Sequence, residues 1–265
     1  MRDEPGIVHL VGAGPGAPDL ITLRAARVLA DADIVFYDAL VHPDTLALAV
    51  RAEKVAVGKR CGKHTTLQRF INKRLIDAAR KHAVVVRLKG GDPMLFGRAQ
   101  EEIDALRAAG IRCAVVPGVT AALAASAELQ VSLTRRGVSR NVTFVTPRVG
   151  AGEDADSSDW VGSICNADTA VMYMAAGQAA AIAGKLIAND MPADMPVVIV
   201  ENASLPGMTQ TATTLGELRA ATERMTHGGP ALLMIGRVFM RAASAQQRTI
   251  DDDAVSLAVA ASLCA

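Results

Sequence analysis

The sequence predicts an α/β protein built as two α/β domains, with a parallel sheet in the first and a mixed sheet in the second. Three observations carry that expectation. Up to about residue 135, short β-branched runs alternate with longer helical patterns, the signature of strand–crossover–strand units. Those runs are almost wholly apolar, as expected of strands covered on both faces. Further along, strands outnumber helices, which suggests a mixed sheet.

Element by element, Ile7–Val11 reads as a strand, followed by the Gly- and Pro-rich Gly12–Pro18 and a helix from about Asp19 to Ala32. Ile34–Tyr37 is the next strand, with a helix opening at Pro43-Asp44. Lys54–Val57 is a third strand, Thr66–Lys81 a third helix and Val84–Leu88 a fourth strand. Arg98–Ala109 is a helix stopped by Gly110, a residue suited to the reversal at a helix end. Cys113–Val116 is a fifth strand and Thr120–Leu129 an alanine-rich helix. In the second part Asn141–Thr146, Thr169–Met174, Pro196–Glu201, Gln210–Thr213 and Ala231–Ile235 read as strands. Gln178–Asn189 and Leu215–Arg224 read as helices, and the acidic Gly150–Asp159 as a solvated loop. A boundary near Arg136–Ser139 gives domains at 1–136 and 137–247, with 248–265 as a weakly ordered tail.

Composition narrows the function. The chain has 265 residues, 51% hydrophobic and 21% charged, enough to bury a core without staples. Its 28 basic and 27 acidic residues leave a net charge of +1, and only 3% of residues are aromatic. Neither a cationic field nor a stacking platform is present, so nucleic acid is not an expected partner. No apolar stretch reaches the roughly 20 residues that span a bilayer, and no leader pattern opens the chain, so no membrane association is expected. Cys61, Cys113, Cys165 and Cys264 are widely spaced with no C-x-x-C, which predicts reduced thiols, no metal site and a cytoplasmic location.

The chemistry is expected in three glycine-bearing loops, each following a strand. Ligands of open parallel sheets sit at the carboxyl ends of strands, so these loops stand in the right place. The first, Gly12–Pro18, fits the G-x-G-x-x-G/A dinucleotide fingerprint, with Asp38 where a ribose-binding acid would stand. Pro15 and Pro18, however, remove N–H groups that a pyrophosphate would need. The second loop runs through Lys89-Gly90-Gly91-Asp92-Pro93 to Arg98, and the third is Pro117–Ala122. Together they describe one cleft.

These loops, with Tyr37–Val41, Val57–Arg60, Glu101-Glu102, Ser132–Thr134, Tyr173-Met174, Glu201-Asn202 and Gly229–Ala231, resemble the S-adenosylmethionine-dependent tetrapyrrole methyltransferases. Within that family the set is most similar to the uroporphyrinogen-III C-methyltransferases, through about Gly6–Val238. The resemblance implies C-methylation of uroporphyrinogen III at two pyrrole carbons, C2 and C7, to give precorrin-2. The product would feed sirohaem, cobalamin or haem d1, and S-adenosyl-L-homocysteine would be released. It also implies an active site in the cleft between the domains and a homodimer.

By the same resemblance Asp38 is the proton acceptor and Lys59 the donor. Pro15, Gly90, Gly91, Asp92, Leu95, Thr120, Ala121, Met174, Ala203 and Ala231 contact S-adenosyl-L-methionine, and Arg98, Glu101 and Arg136 hold the macrocycle. Without it, Asp38 reads as a helix N-cap or a surface loop acid, Lys59 as a solvated cation and Arg98–Glu101 as a surface pair. A polyanionic substrate needs cations, and Lys59-Arg60, Lys63, Arg87, Lys89, Arg98, Arg135-Arg136 and Arg140 offer them. The chain departs from the family pattern at Pro147-Arg148, at Ala175 and at Ala203, where glycine or Gly-His is common. The alternatives are a later precorrin methyltransferase of the same fold, an NAD-dependent oxidoreductase and a non-catalytic tetrapyrrole-binding protein.

Overall fold

The computed structural model describes residues 4–57, 64–147, 159–225 and 229–240, without the side chains of 64–67. Lys59-Arg60, Lys63, Arg148, the Gly150–Asp159 segment apart from Asp159, and the expected tail at 248–265 lie outside the described residues. The chain forms two compact units. The first holds Met1–Ala124 together with Ser204–Pro206, and the second takes over from Ala125.

The first unit runs β1 (Ile7–Gly12), α1 (Leu23–Ala30), β2 (Ile34–Tyr37), α2 (Pro43–Ala47), β3 (Glu53–Ala56), α3 (His64–Ala79), β4 (Val84–Lys89), α4 (Ala99–Ala108) and β5 (Cys113–Val116). Its sheet has the order β3-β2-β4-β1-β5, with every pair parallel. Side chains alternate across such a sheet. Val8, Leu10, Ile34, Phe36 and Val85 meet Ile71 and Leu75 of α3 and Leu106 of α4 on one face. Val11, Val35, Val86 and Leu88 meet Ala25 and Leu29 of α1 on the other. Each large side chain buried this way contributes about 1.5–3 kcal/mol relative to exposure. Two covered faces explain the nearly unbroken apolar strands.

The helix boundary that departs furthest from the sequence reading is the start of α1. The helix expected from Asp19 is instead a single 3-10 turn at Pro18–Leu20, an extended Ile21, and then α1. Thr22 sets the true start: its hydroxyl accepts the Ala25 N–H at 3.2 Å, satisfying a donor with no partner inside the helix.

α5 (Ala121–Glu128) passes from the first unit into the second. There follow β6 (Val142–Val145), α6 (Trp160–Cys165), β7 (Thr169–Tyr173), α7 (Ala179–Ile187), β8 (Pro196–Glu201), β9 (Thr209–Thr214), α8 (Leu218–Glu223) and β10 (Ala231–Gly236). The short α6 has no counterpart in the sequence reading. Asp159 caps it, its carboxylate accepting the Gly162 N–H at 2.7 Å. The sheet order is β6-β7-β10-β8-β9, with β6–β7 parallel and the remaining pairs antiparallel, so the mixed sheet is as expected. Ile182 and Leu186 of α7 and Leu218 of α8 bury one face over Met172, Val197, Ile199 and Leu233.

The units divide inside α5 rather than at Arg136–Ser139. That turn is bound into the second unit: Ser139 Oγ lies 2.9 Å from Thr169 Oγ1, and Asp168 accepts the Arg140 N–H at 2.7 Å. No helix among the described residues is long and apolar enough to cross a membrane.

Candidate active site

The parallel sheet brings the glycine loops of β1, β4 and β5 to one edge, and backbone groups lock them together. Ala13 N donates to Lys89 O at 2.7 Å, and Gly14 and Gly91 exchange N–H···O bonds at 3.3 and 2.7 Å. The carboxylate of Asp92 ties in the third loop by accepting the Gly118 N–H at 2.9 Å, while its other oxygen accepts Met94 N–H at 2.8 Å. The contact is too close for side chains. A Cβ on Gly118 would stand 2.3 Å from Gly91 O, and one on Gly12 would stand 2.6 Å from Gly118 Cα. At Gly91, with φ +68°, a Cβ would meet nothing within 4 Å, so its outer side faces open space. Ser204 also reaches this edge, its hydroxyl accepting the Ala17 N–H at 3.0 Å.

Asp38 follows β2 at the same edge and stays partly accessible, with 27% of its side chain exposed. Leu40 N donates to its Oδ1 at 3.0 Å and Gly90 N to its Oδ2 at 3.3 Å, so its carboxylate is held by the loop that carries Gly90 and Gly91. Its expected counterpart Lys59 falls outside the described residues.

Arg87 and Lys89 do not offer their charge to a substrate, contrary to the sequence reading. Alternation on β4 turns both toward α3 and α4, and they are 5% and 4% exposed. Glu102, at 0%, accepts from Arg87 Nε at 3.2 Å and Lys89 Nζ at 3.1 Å, and Gln68 Nε2 donates to it at 3.2 Å. Burial pushes the Lys89 ammonium below its ordinary range, the Arg87 charge adds to this, and Glu102 opposes it. Sequence reasoning misses the roles of Glu102 and Gln68. The available signal is a charged pair two residues apart in an otherwise apolar strand.

The expected macrocycle ligands are exposed. Arg98 opens α4 in the left-handed region at φ +55° and forks onto Glu101, with Nε–Oε1 at 2.7 Å and Nη2–Oε2 at 2.8 Å. Arg136 stands at the tip of the Arg135–Ser139 turn of the second unit. Of the other expected contacts in the first unit, Pro15, Leu95, Thr120 and Ala121 are half-buried in or beside the interlocked loops.

In the second unit the register gathers Met174, Ala203 and Ala231 at one end of the sheet. Tyr173 pairs with Leu232 and Glu201 with Ala231, so the ends of β7 and β8 flank the start of β10. Of the non-glycine residues in left-handed backbone, Met174 (φ +56°), Asn202 (φ +51°), Ser204 (φ +67°), Phe96 (φ +52°) and Arg98 lie in or beside loops singled out from the sequence, while Gln130 and Asp190 follow the ends of α5 and α7. Such conformations cost about 1–3 kcal/mol each and gather at functional sites. The departures from glycine at Ala175 and Ala203 carry no such strain: Ala175 has φ −103°, and Ala203 is not among the positive-φ residues.

This geometry separates the two ligand classes that the first loop could serve. A pyrophosphate needs convergent free N–H groups. Here those of Ala13, Gly14 and Ala17 are already bonded within the protein, and Pro15 and Pro18 have none. An open glycine face among small and apolar neighbours suits a nucleoside carrying no phosphates.

Known proteins resemble this chain over most of its length. Residues 8–219 match the family described as Tetrapyrrole (Corrin/Porphyrin) Methylases. The uroporphyrinogen-III C-methyltransferase of Synechocystis sp. is 41% identical over 92% of this chain and 93% of its own length. That of Pseudomonas aeruginosa is 43% identical over 88% of this chain and 94% of its own. Among solved structures, a uroporphyrin-III C-methyl transferase from Thermus thermophilus, complexed with S-adenyl homocysteine, superposes with a TM-score of 0.76. It is 38% identical and covers 89% of this chain and 99% of that one. With relatives this close across nearly its whole length, the chain belongs to the tetrapyrrole (corrin/porphyrin) methylase family.

Proposed function

We propose that this protein C-methylates uroporphyrinogen III at C2 and C7 to give precorrin-2, using S-adenosyl-L-methionine as methyl donor. The observation that carries this reading is the interlock of Gly12–Gly14, Gly91 and Gly118, in which the N–H groups of Ala13, Gly14 and Ala17 are already bonded within the protein. The named activity of its relatives supports the choice of substrate. S-adenosyl-L-methionine, when bound, supplies a methyl group already activated on a sulfonium. The chain's own residues therefore need only bind, align and move protons.

In this reading the residues that the family resemblance assigns to the donor are Gly90–Asp92, Pro15, Leu95, Thr120, Ala121, Met174, Ala203 and Ala231. Asp38, a carboxylate fixed at both oxygens yet reachable from solvent, takes up the proton that the ring loses for each methyl cation it gains, and Lys59 is the donor in the tautomeric shift, in which one proton is added and another leaves. Arg98 and Arg136 receive substrate carboxylates, for which a guanidinium fork is suited. Glu101 keeps the Arg98 fork in one orientation. The protein works as a homodimer in the cytoplasm.

The test is incubation with uroporphyrinogen III and S-adenosyl-L-methionine, following precorrin-2 by absorbance and its mass by spectrometry. A gain of two methyl groups per macrocycle supports the reading; an unchanged macrocycle rejects it. Arg98→Ala is expected to raise KM for the macrocycle at least about tenfold, the scale of one charge-assisted pair, with S-adenosyl-L-homocysteine affinity unchanged. Equal losses in both would remove Arg98 from the substrate site.

A further inference from the structure

The cluster under the Gly90–Asp92 loop has a charge imbalance that points outward. Arg87, Lys89 and Glu102 bring two cations against one anion into a buried space, where an uncompensated charge is costly. Glu102 is saturated on its inner side by Arg87, Lys89 and Gln68. The Arg87 fork is fixed twice, by Nε on Glu102 and by Nη1 donating to Leu88 O at 3.0 Å. That same Nη1 stands 4.0 Å from Asp38 Oδ2. Asp38 is the anion that balances the group, and among the described residues its ion pair is with Arg87.

We propose that Arg87 is a positioning residue for Asp38, and that Glu102 acts one step further back by fixing Arg87. A purely architectural network would need no such surplus, since an apolar set could fill the space between β4, α3 and α4. Here the surplus lies at the reacting carboxylate, and the Gly90 N–H bond to Asp38 ties carboxylate and donor loop into one rigid piece. The inference rests on the reading of Asp38 as proton acceptor.

The test is a double-mutant cycle on kcat with Asp38→Asn, Arg87→Lys and the pair, with S-adenosyl-L-homocysteine affinity and thermal midpoint measured for each. Arg87→Lys keeps the charge but not the fork. It is expected to lower kcat about tenfold with the ligand affinity unchanged, and to add nothing in the Asp38→Asn background. Glu102→Gln provides a second arm should Arg87→Lys fold poorly, and its kcat loss is likewise expected to vanish when Asp38 is already Asn. Losses that multiply, with Asp38→Asn itself damaging, overturn the positioning role and leave the base intact. Full turnover in Asp38→Asn alone rejects the base and the positioning role together.

Discussion

Asp38→Asn is expected to lower turnover by about 10²- to 10⁴-fold, the usual range for removing a positioned general base, while leaving the fold and S-adenosyl-L-homocysteine binding in place. The asparagine is nearly isosteric, and its carbonyl oxygen can still accept one of the N–H groups of Leu40 and Gly90. What disappears is the negative charge beside Arg87 and the capacity to take a proton. Single-turnover methylation shows whether the loss sits in the chemical step, and calorimetry shows whether the donor site survives. Unchanged turnover would exclude Asp38 from the mechanism.

Gly118→Ala is expected to be the most damaging single-methyl change in the donor site. The new Cβ would meet Gly91 O at 2.3 Å and Gly12 Cα at 2.9 Å, both backbone atoms that cannot rotate away. Relief requires the three loops to separate, breaking the Asp92 bond to Gly118 N and the Gly14–Gly91 pair. Overpacking of this kind costs about 1–3 kcal/mol of stability, and the donor site should lose affinity by more than about tenfold. Gly184→Ala on α7 is the control, because its Cβ meets nothing within 4 Å and alanine favours a helix. Wild-type affinity in Gly118→Ala would mean that the loop contact is incidental to binding.

Much of the fold is legible in the sequence because its pattern is periodic. The parallel half follows from apolar strands spaced by helices, and each observed strand there lies within a residue or two of its expected span. The start of α1 is obscured because hydrophobic periodicity continues backward through Leu20 and Ile21, whereas Thr22 captures the free N–H of Ala25. The six-residue α6 is invisible for the opposite reason: it is too short to show a period and depends on its Asp159 cap.

The site is legible in its loops but not in its charges. Small residues at strand ends mark where backbones meet, and those loops do meet. Whether a cation faces solvent or core depends on strand parity and on what the opposing helix carries. Val85 and Arg87 share a face, and the approach of Glu102 from α4, with Asp38 beyond it, makes that burial tolerable. Asp92 shows the same limit: its carboxylate staples Gly118 and Met94, a local task that composition does not reveal.

Interlocked turns that receive a nucleoside without phosphates, rather than a dinucleotide, must discriminate between two simple ligands. Titration calorimetry of the full chain with S-adenosyl-L-homocysteine and, separately, with NAD tests this most directly. Saturable binding of the first and no heat from the second is the expected result. Binding of NAD without binding of S-adenosyl-L-homocysteine would contradict it.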